Sequence, residues 1–572
     1  MPARRSRRLA HLRQRRLPRV DRYGVLRRDD RAHRRRGRAR LRAAAGRRHG
    51  RQRDCARDRA SDAGGLPALQ LAVPGRAERN RAGAHRSDRE AVRAKTDPMS
   101  AEAAKGAEAA KDAKAAKAPE LASAIASAVR DAGGRALVVG GWVRDRILGL
   151  PEPEKSNIDL EVFGVDAARL RALLETFGRV EAVGESFQVY KVGEVDVSLP
   201  RRDSKAGRGH RGFVVTGDAG MSIAEAARRR DFTVNAISRD PLTGEDFDPF
   251  GGRADLDRRV LRMVDARTFP DDSLRVLRAI QFAARFELTL DEPTAALCRT
   301  IPLDDLPAER VWGEIEKLLL LARTPSIGFA LAMDLGVVAK LFPELQALAG
   351  CVQEPEWHPE GDVWVHTLQV IDEARTRIDD LPRPQQLAVM LGAVAHDLGK
   401  PATTAFIDGR IRSMDHEEQG VAPATALLDR LNVHTIDGYD VRRQVLGITA
   451  QHLKPGSWYK VRDEVGDGAF RRLAHKVDLE LLARVAKADC EGRRPGRFDC
   501  SAMDWFLERA RALGVEHRPP PPILLGRHLL ALGMQPGPRV GEILKAVYEQ
   551  QMDGAITTLE EAIADATRRL EP

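Results

Sequence analysis

The chain has 572 residues, 43% of them apolar, and a formal net charge of +11, which gives room for several domains with sizeable cores. The charge suggests nucleic acid at first sight, but residues 1–98 hold 30 Arg and 1 Lys against 10 acids, so the other 474 residues are about ten charges negative. A basic field over the whole body is thereby excluded, and any RNA contact must come from local patches.

The leading segment (MPARRSRRLAHLRQRR onward) has few apolar residues and no sustained periodicity, so it should not fold alone. A basic RNA-binding arm fits it. An organelle transit peptide fits less well, because ten acids count against one. The Arg, Ala, Gly and Pro bias is also what a GC-rich upstream region gives when read as coding, and we expect translation to start at Met99. The Ala/Lys/Glu run to Lys117 reads as a low-complexity helical or disordered lead-in.

Leu121–Ala132 has a helical pattern that stops at Gly133-Gly134, and the apolar run Ala136–Val139 breaks at Gly140-Gly141 before a helix-compatible segment carrying Arg144 and Asp145. A second short strand follows with Asp159 and Glu161. Alternation puts both acids on one side and Ile158, Leu160 and Val162 on the other. Two carboxylates aimed at one point suit a Mg²⁺-type ion, and the glycines let backbone approach a phosphate. Alone, the acidic strand is equally a strand with an acidic solvent face.

With GGWVRD ahead of it, the stretch resembles the head domain of the tRNA nucleotidyltransferase and poly(A) polymerase family, within the polymerase-β-like superfamily. The resemblance implies that Asp159 and Glu161 hold metal and that Gly140, Gly141 and Arg144 bind triphosphate. Many relatives carry an aspartate two residues before the one matching Asp159, whereas this chain has Asn157.

Asp166–Phe177 repeats apolar residues at helical spacing. Phe187–Lys191 and Glu194–Leu199 alternate as a hairpin around Gly193, and its second strand carries Asp196, either a third carboxylate for the metal set or an ordinary edge-strand Asp. Arg201–Arg211 is Gly-rich and basic and reads as a mobile loop. ARRRDFTVNAI (227–237) would by itself be a solvated charged face. It matches the family's RRDFT-NA motif, which implies Arg230 as a nucleotide contact and Asp231 and Asn235 as sugar or structural contacts.

Phe269–Phe286 reads as a helix capped by Asp271 or Asp272, with Arg275 and Arg278 on one face. As a fragment it is a surface helix with two arginines. DDSLR resembles the family's motif of two acids and an Arg, which implies that Asp272 and Arg275 read the base edge and Arg278 binds phosphate. Residues 306–342 are helical patterns that carry packing.

Beyond them come WHPEGDVWVHTL (357–368), AHDLGK (395–400), DHEE (415–418), QHL (451–453) and Asp489. One His on an apolar helix is usually a satisfied core residue. An adjacent His-Asp with an earlier His and a later Asp resembles the HD metal-dependent phosphohydrolase domain. By that match His366, His396, Asp397 and Asp489 are ligands, and His416 and His452 are second-metal or phosphate contacts. The donors suit Ni²⁺, Mn²⁺, Co²⁺ or Mg²⁺, for hydrolysis of a terminal or 2′,3′-cyclic phosphate. The tail carries the run Pro519–Pro522, a stiff polyproline linker, and a Gly/Pro-punctuated segment (524–544) that resembles the family's C-terminal part or simply packs as helix.

No run of 18 apolar residues occurs, so no membrane span is expected, and the five cysteines form no CxxC pair, which argues against a zinc knuckle and for a reducing, cytoplasmic setting. The fold expected is α+β: leader 1–98, linker 99–119, a polymerase-β-like nucleotidyltransferase head 120–255, an all-α neck and body 256–350, an α-helical HD domain 351–495 and a helical tail 496–572. The activity the resemblance implies is CCA addition to tRNA from CTP and ATP with Mg²⁺. The rivals are a poly(A) polymerase or A-adding enzyme, and an HD hydrolase or RNA-binding protein with an inactive head. No oligomeric state is legible in the chain.

Overall fold

The computed structural model describes residues 118–151, 157–183, 189–205, 213–496 and 498–570. The leader, the low-complexity run to Lys117, Phe187 and the tip of the basic loop lie outside these residues.

Leu121, Ala122, Ile125, Ala126 and Val129 share one face of helix α1 (Ala118–Asp131), and all are buried. Strand β1 (Arg135–Val139) follows, then the seven-residue helix α2 (Gly141–Ile147), β2 (Ile158–Phe163) and α3 (Ala167–Glu175), whose N-cap Asp166 accepts from the Ala168 and Arg169 N–H groups. Strands β3 (Glu181–Val183), β4 (Val189–Val192) and β5 (Val195–Ser198) come next. Together with β8 (Ser238–Arg239) and β9 (Asp246–Phe247) they form a mixed sheet of order β3-β4-β5-β2-β1-β8-β9. The two faces of β1 serve different layers. Ala136 and Val138 enter the main core with α1 and α3, whereas Leu137 and Val139 pack with Phe163, Met221 and Ala226 on the other side.

The basic stretch after β5 corrects an expectation. Residues read as a loop begin as strand β6 (Arg201–Lys205), paired antiparallel with β7 (Phe213–Gly217) from Arg201↔Gly217 to Lys205↔Phe213. Glycine and charge gave no strand signal there, and the ribbon forms a two-stranded sheet of its own, separate from the main one. Helix α4 (Ile223–Arg228) then starts on a Ser222/Glu225 capping box.

The neck helix α5 (Leu274–Phe286) begins later than its sequence suggests, after a single 3₁₀ turn over Phe269–Asp271, and Asp272 accepts the Leu274 N–H. Ten of its 13 residues are buried, against α6 (Ala308–Leu321) and α7 (Ser326–Asp334). Truncating one of them, such as Ile280, would cost about 2–5 kcal/mol.

Helices α8 (Val363–Arg375), α9 (Arg383–Ala395), α10 (His416–Gln419), α11 (Val441–Gln451), α12 (Leu479–Glu491) and α13 (Ser501–Ala512) continue the same core, with the hairpin β10 (Thr404–Ile407) and β11 (Arg410–Ser413) between them. Phe506, Ala510 and Val515 belong to that core, so a separate tail core begins only near Leu524, where α14 (Gly526–Ala531), α15 (Pro538–Asp553) and α16 (Leu559–Arg568) pack together. The proline run is tied to this tail: Tyr548 Oη donates to the Pro520 carbonyl and Gln551 Nε2 to that of Pro521.

A disulfide joins Cys490 to Cys500, while Cys298 and Cys351 are free thiols. The expectation of a reducing setting rested on the lack of CxxC spacing, which says nothing of a pair ten residues apart. No helix among the described residues is long and apolar enough to cross a membrane.

Candidate functional sites

Register assembles the head site. Across antiparallel β1–β2, Val139 faces Asp159 and Leu137 faces Glu161; across parallel β2–β5, Asp159 faces Asp196. Register partners share a face. Asp159, Glu161 and Asp196 therefore lie on the side of the sheet away from α1 and α3, along one wall of a cleft of about 450 Å³. Gly140 closes the end of β1 at φ 75°, and a Cβ there would sit 3.3 Å from Arg230 Nη1 and 3.7 Å from Asp159 Oδ2. Gly141 instead opens α2, a helix too short for a strong N-terminal dipole, and faces the Arg144 guanidinium.

Burial raises the Asp159 carboxyl, and Asp196 and Glu161 add to the rise against the pull of Arg230. Arg230 Nη2 is 3.7 Å from Glu161 and Lys191 Nζ is 3.8 Å from Asp196. Arg229, Arg230, Arg275 and Arg278 line the cleft with Asp272.

A hydrogen-bonded network centred on Asp231, at the cleft wall, fixes the motif residues. Asp231 accepts from Arg278 Nε at 2.7 Å, from Asn235 Nδ2 at 3.0 Å and from the Phe232 N–H at 2.8 Å. Arg144, expected on the triphosphate, is 4% exposed and does not line the cleft. It donates to Asn235 and Asp145 and lies 4.1 Å over the Phe286 ring, and burial lowers its pKa. In this geometry Arg144 packs between α2 and the neck, outside the lining of the cleft. Asp231 and Asn235 are both buried, and Asp231 also lines the cleft.

Arg275 donates to the carbonyls of Thr268 and Arg229 at 2.8 and 2.7 Å. Asp272 is gripped by both Nη atoms of Arg310 at 3.1 and 3.0 Å, a partner 38 residues away that the sequence did not single out.

The helical half holds a second cluster. His396 ends α9, His416 opens α10 and His452 ends α11. Each directs Nδ1 at the carbonyl three residues earlier, at 2.8, 2.8 and 2.9 Å, which turns its Nε2 inward. Asp397 lies 3.2 Å from His396 Nε2, 3.4 Å from His416 Nε2 and 3.9 Å from His452 Nε2. His366 Nε2 is 3.0 Å from Asp489 and its Nδ1 is 2.8 Å from Glu360, which also meets His358 at 2.9 Å. Glu360 and His358 are additions to the predicted set; the adjacent HPEG residues carried no helical spacing to mark them.

Burial opposes charge on Asp397 and Asp489. Nonetheless His396 and Lys400 hold the first well below the usual carboxylate range, and Arg493 and His366 hold the second there. Burial and the neighbouring His396 and His416 push His452 down to about 3. Three groups bring one ligand atom per residue within 4.8 Å: His358/Glu360/His366, His366/His396/Asp397 and Asp397/His416/His452. The head acids are not among these groups. Gly399 lets the turn after Asp397 meet α10: a Cβ there would be 2.0 Å from the His416 carbonyl oxygen.

Residues 136–262 match the family described as the poly A polymerase head domain, and 288–348 the one described as the probable RNA and SrmB-binding site of polymerase A. The multifunctional CCA protein of Xanthomonas campestris pv. campestris (strain B100) is 37% identical over 423 residues, covering 71% of this chain and 95% of that protein. That of Acinetobacter baumannii (strain AYE) is 34% identical over 393 residues, covering 67% and 86%. The Bacillus stearothermophilus CCA-adding enzyme in complex with CTP shares the fold at a TM-score of 0.53 and 21% identity, over 80% of this chain and 98% of that one.

Proposed function

We propose, from the premise that the chain belongs to the family of the multifunctional CCA proteins, that its head adds C and A residues to the 3′ end of tRNA from CTP and ATP. The observation that carries this is the pairing of Asp159 with Asp196 on the face that Gly140 and Arg230 share. Asp159, Glu161 and Asp196 would hold Mg²⁺, because an all-oxygen donor set suits a hard cation; burial first, and then the nearby Asp196 and Glu161, raise the Asp159 carboxyl, and a bound cation would offset both. When bound, such ions supply positive charge to the attacking and leaving oxygens.

The chain's own residues do the rest. Arg230, beside Gly140, meets the triphosphate, and Arg278 adds charge from the neck. Asp272, held by Arg310, offers an acceptor to the base edge, and Arg275, fixed by two backbone carbonyls, keeps a neighbouring donor in place. In the transfer, the RNA 3′-oxygen bonds to the α-phosphorus, the bond to pyrophosphate breaks with its electron pair, and the hydroxyl proton goes to water. Incubating the purified chain with tRNA lacking its CCA end, CTP and ATP tests the reading. C, C and A should be added in order; A alone would indicate an A-adding enzyme, and no addition an inactive head.

A second activity, phosphate-ester hydrolysis, is favoured by the helical cluster. His396 Nε2 is buried with no hydrogen-bond partner and aims at the same space as the other imidazoles, as a ligand nitrogen would. His366, His396, Asp397 and Asp489 would hold one divalent ion and His416 and His452 would serve a second; mixed nitrogen and oxygen donors suit Mn²⁺, Ni²⁺, Co²⁺ or Mg²⁺. Such an ion, when bound, supplies Lewis acidity for attack by water. Lys400 and Arg493 line the cleft and would take the phosphate oxygens. Water oxygen bonds to phosphorus, the ester P–O bond breaks, and the leaving oxygen takes a proton.

A further inference from the structure

The cleft at the helical site, about 310 Å³, has a lining of two kinds. Its charged part comprises the buried Asp397, Asp489 and Lys400 with Arg493; Lys400 Nζ is 2.7 Å from Asp397 and Arg493 Nη2 is 3.5 Å from Asp489. Its apolar part includes Trp357, which is 50% exposed, with the half-buried Ile411 and Leu453.

Hairpin β10–β11 extends this apolar part. Ile411 and Ser413 both line the cleft, two residues apart, so that face of the hairpin is cleft wall. Phe406 is the register partner of Ile411 and therefore shares the face, and it is 55% exposed. The hairpin is fastened to the segment before Trp357: Glu354 accepts the Ile411 N–H at 2.9 Å, and Arg410 pairs with Glu356 at 3.0 Å. The two aromatics are thus held by the same short connection. A single exposed Trp would be ordinary. Two large aromatics kept in water, Trp357 in the cleft lining and Phe406 on the hairpin face that walls it, beside a lining that holds Lys400, Arg493 and the acids of the proposed ion site, describe a ligand with an anionic end and a flat apolar end.

We propose that Trp357 and Phe406 form a stacking platform for the nucleobase of the phosphate ester cleaved at this site, making them specificity-determining residues for nucleotides over base-free phosphate esters. The proposal rests on the hydrolytic reading of the cluster. A base needs only its π-face for such stacking, so purines and pyrimidines are both accepted, with purines the better.

The test uses the full chain with Mn²⁺ and two cyclic phosphodiesters, adenosine 2′,3′-cyclic phosphate and the base-free glycerol 1,2-cyclic phosphate. Trp357→Ala should raise KM for the adenosine substrate about tenfold with kcat little changed, move KM for the glycerol substrate less than about twofold, and be rescued by Trp357→Phe. Phe406→Ala should act in the same direction. An equal effect on both substrates, or none on either, overturns the platform. Calorimetry of adenosine 2′-monophosphate binding gives a second readout. If the unmodified protein hydrolyses neither substrate the hydrolytic reading fails, and the platform still stands or falls on whether Trp357→Ala weakens this binding about tenfold.

Discussion

Asp159 and Asp196 lie side by side across the parallel β2–β5 pair, although 37 positions separate them in sequence, and a Cβ added at Gly140 would come within van der Waals reach of the first. Neighbouring strands run about 4.7–4.9 Å apart, which sets the spacing of two carboxylates that share a face. The arrangement is rigid because Ile158, Leu160, Val195 and Val197 fill the opposite face of the same two strands.

Asn157 immediately precedes β2 and, by strand alternation, falls on the Asp159 side. Asn157→Asp should add an anionic oxygen donor to the head set. The Mg²⁺ concentration for half-maximal nucleotide addition should fall severalfold. An unchanged or higher requirement would place residue 157 outside the ion's reach.

Arg310 holds Asp272 with two parallel donors, a geometry a lysine ammonium cannot copy. Arg310→Lys and Arg310→Ala should both raise KM for CTP about tenfold and increase incorporation of UTP or GTP. A uniform loss of kcat with selectivity intact would make the pair a packing feature.

Burial pushes the Asp231 carboxyl up, but Arg278, Asn235 and the Phe232 N–H outweigh it and hold it below its ordinary value. Stability from a carboxyl depressed in the folded state is fully present above the unfolded value, about 3.9, and is lost as pH falls through the folded value. Asp231→Asn, which leaves Arg278 partly buried without its partner, should cost about 3–5 kcal/mol at pH 7 by urea unfolding. The difference from the unmodified chain should narrow below about pH 4. A gap that stays constant from pH 7 to pH 3 would rule out the ion pair as its source.

At the helical site, Mn²⁺ at about 100 times its Kd should stabilise the protein by about 2.7 kcal/mol, seen as a rise in Tm. Gly399→Ala sets a methyl group against the His416 backbone. That shift should abolish most of the Mn²⁺ response while tRNA extension persists. An undiminished response would mean that the packing of Gly399 does not set the ligand geometry.

How much of this was legible in the chain depended on whether a residue's role is local. Alternation over Ile158–Val162 sufficed to put Asp159 and Glu161 on one side, and helix punctuation put His396 and Asp397 at the end of α9. Arg310 acts through a contact made only when distant segments meet, and nothing in its neighbourhood marks it; Glu360 meets His358 and His366 close by in the chain, but across a turn with no regular spacing to show it. Arg144 was expected on the triphosphate only through the resemblance of GGWVRD, and its burial against the neck aromatics Phe282 and Phe286 depends on residues far along the chain. The Cys490–Cys500 link spans a spacing that matches no motif.

The central claim is that the Asp159–Asp196 pair holds the ion on which nucleotide addition depends. Single-turnover addition of C to tRNA lacking its CCA end, compared for the unmodified chain and Asp159→Ala, tests it most directly. The account predicts a fall of about a hundredfold or more, with the Mn²⁺ rise in Tm at the helical site unchanged. Addition by Asp159→Ala at near the unmodified rate would contradict it.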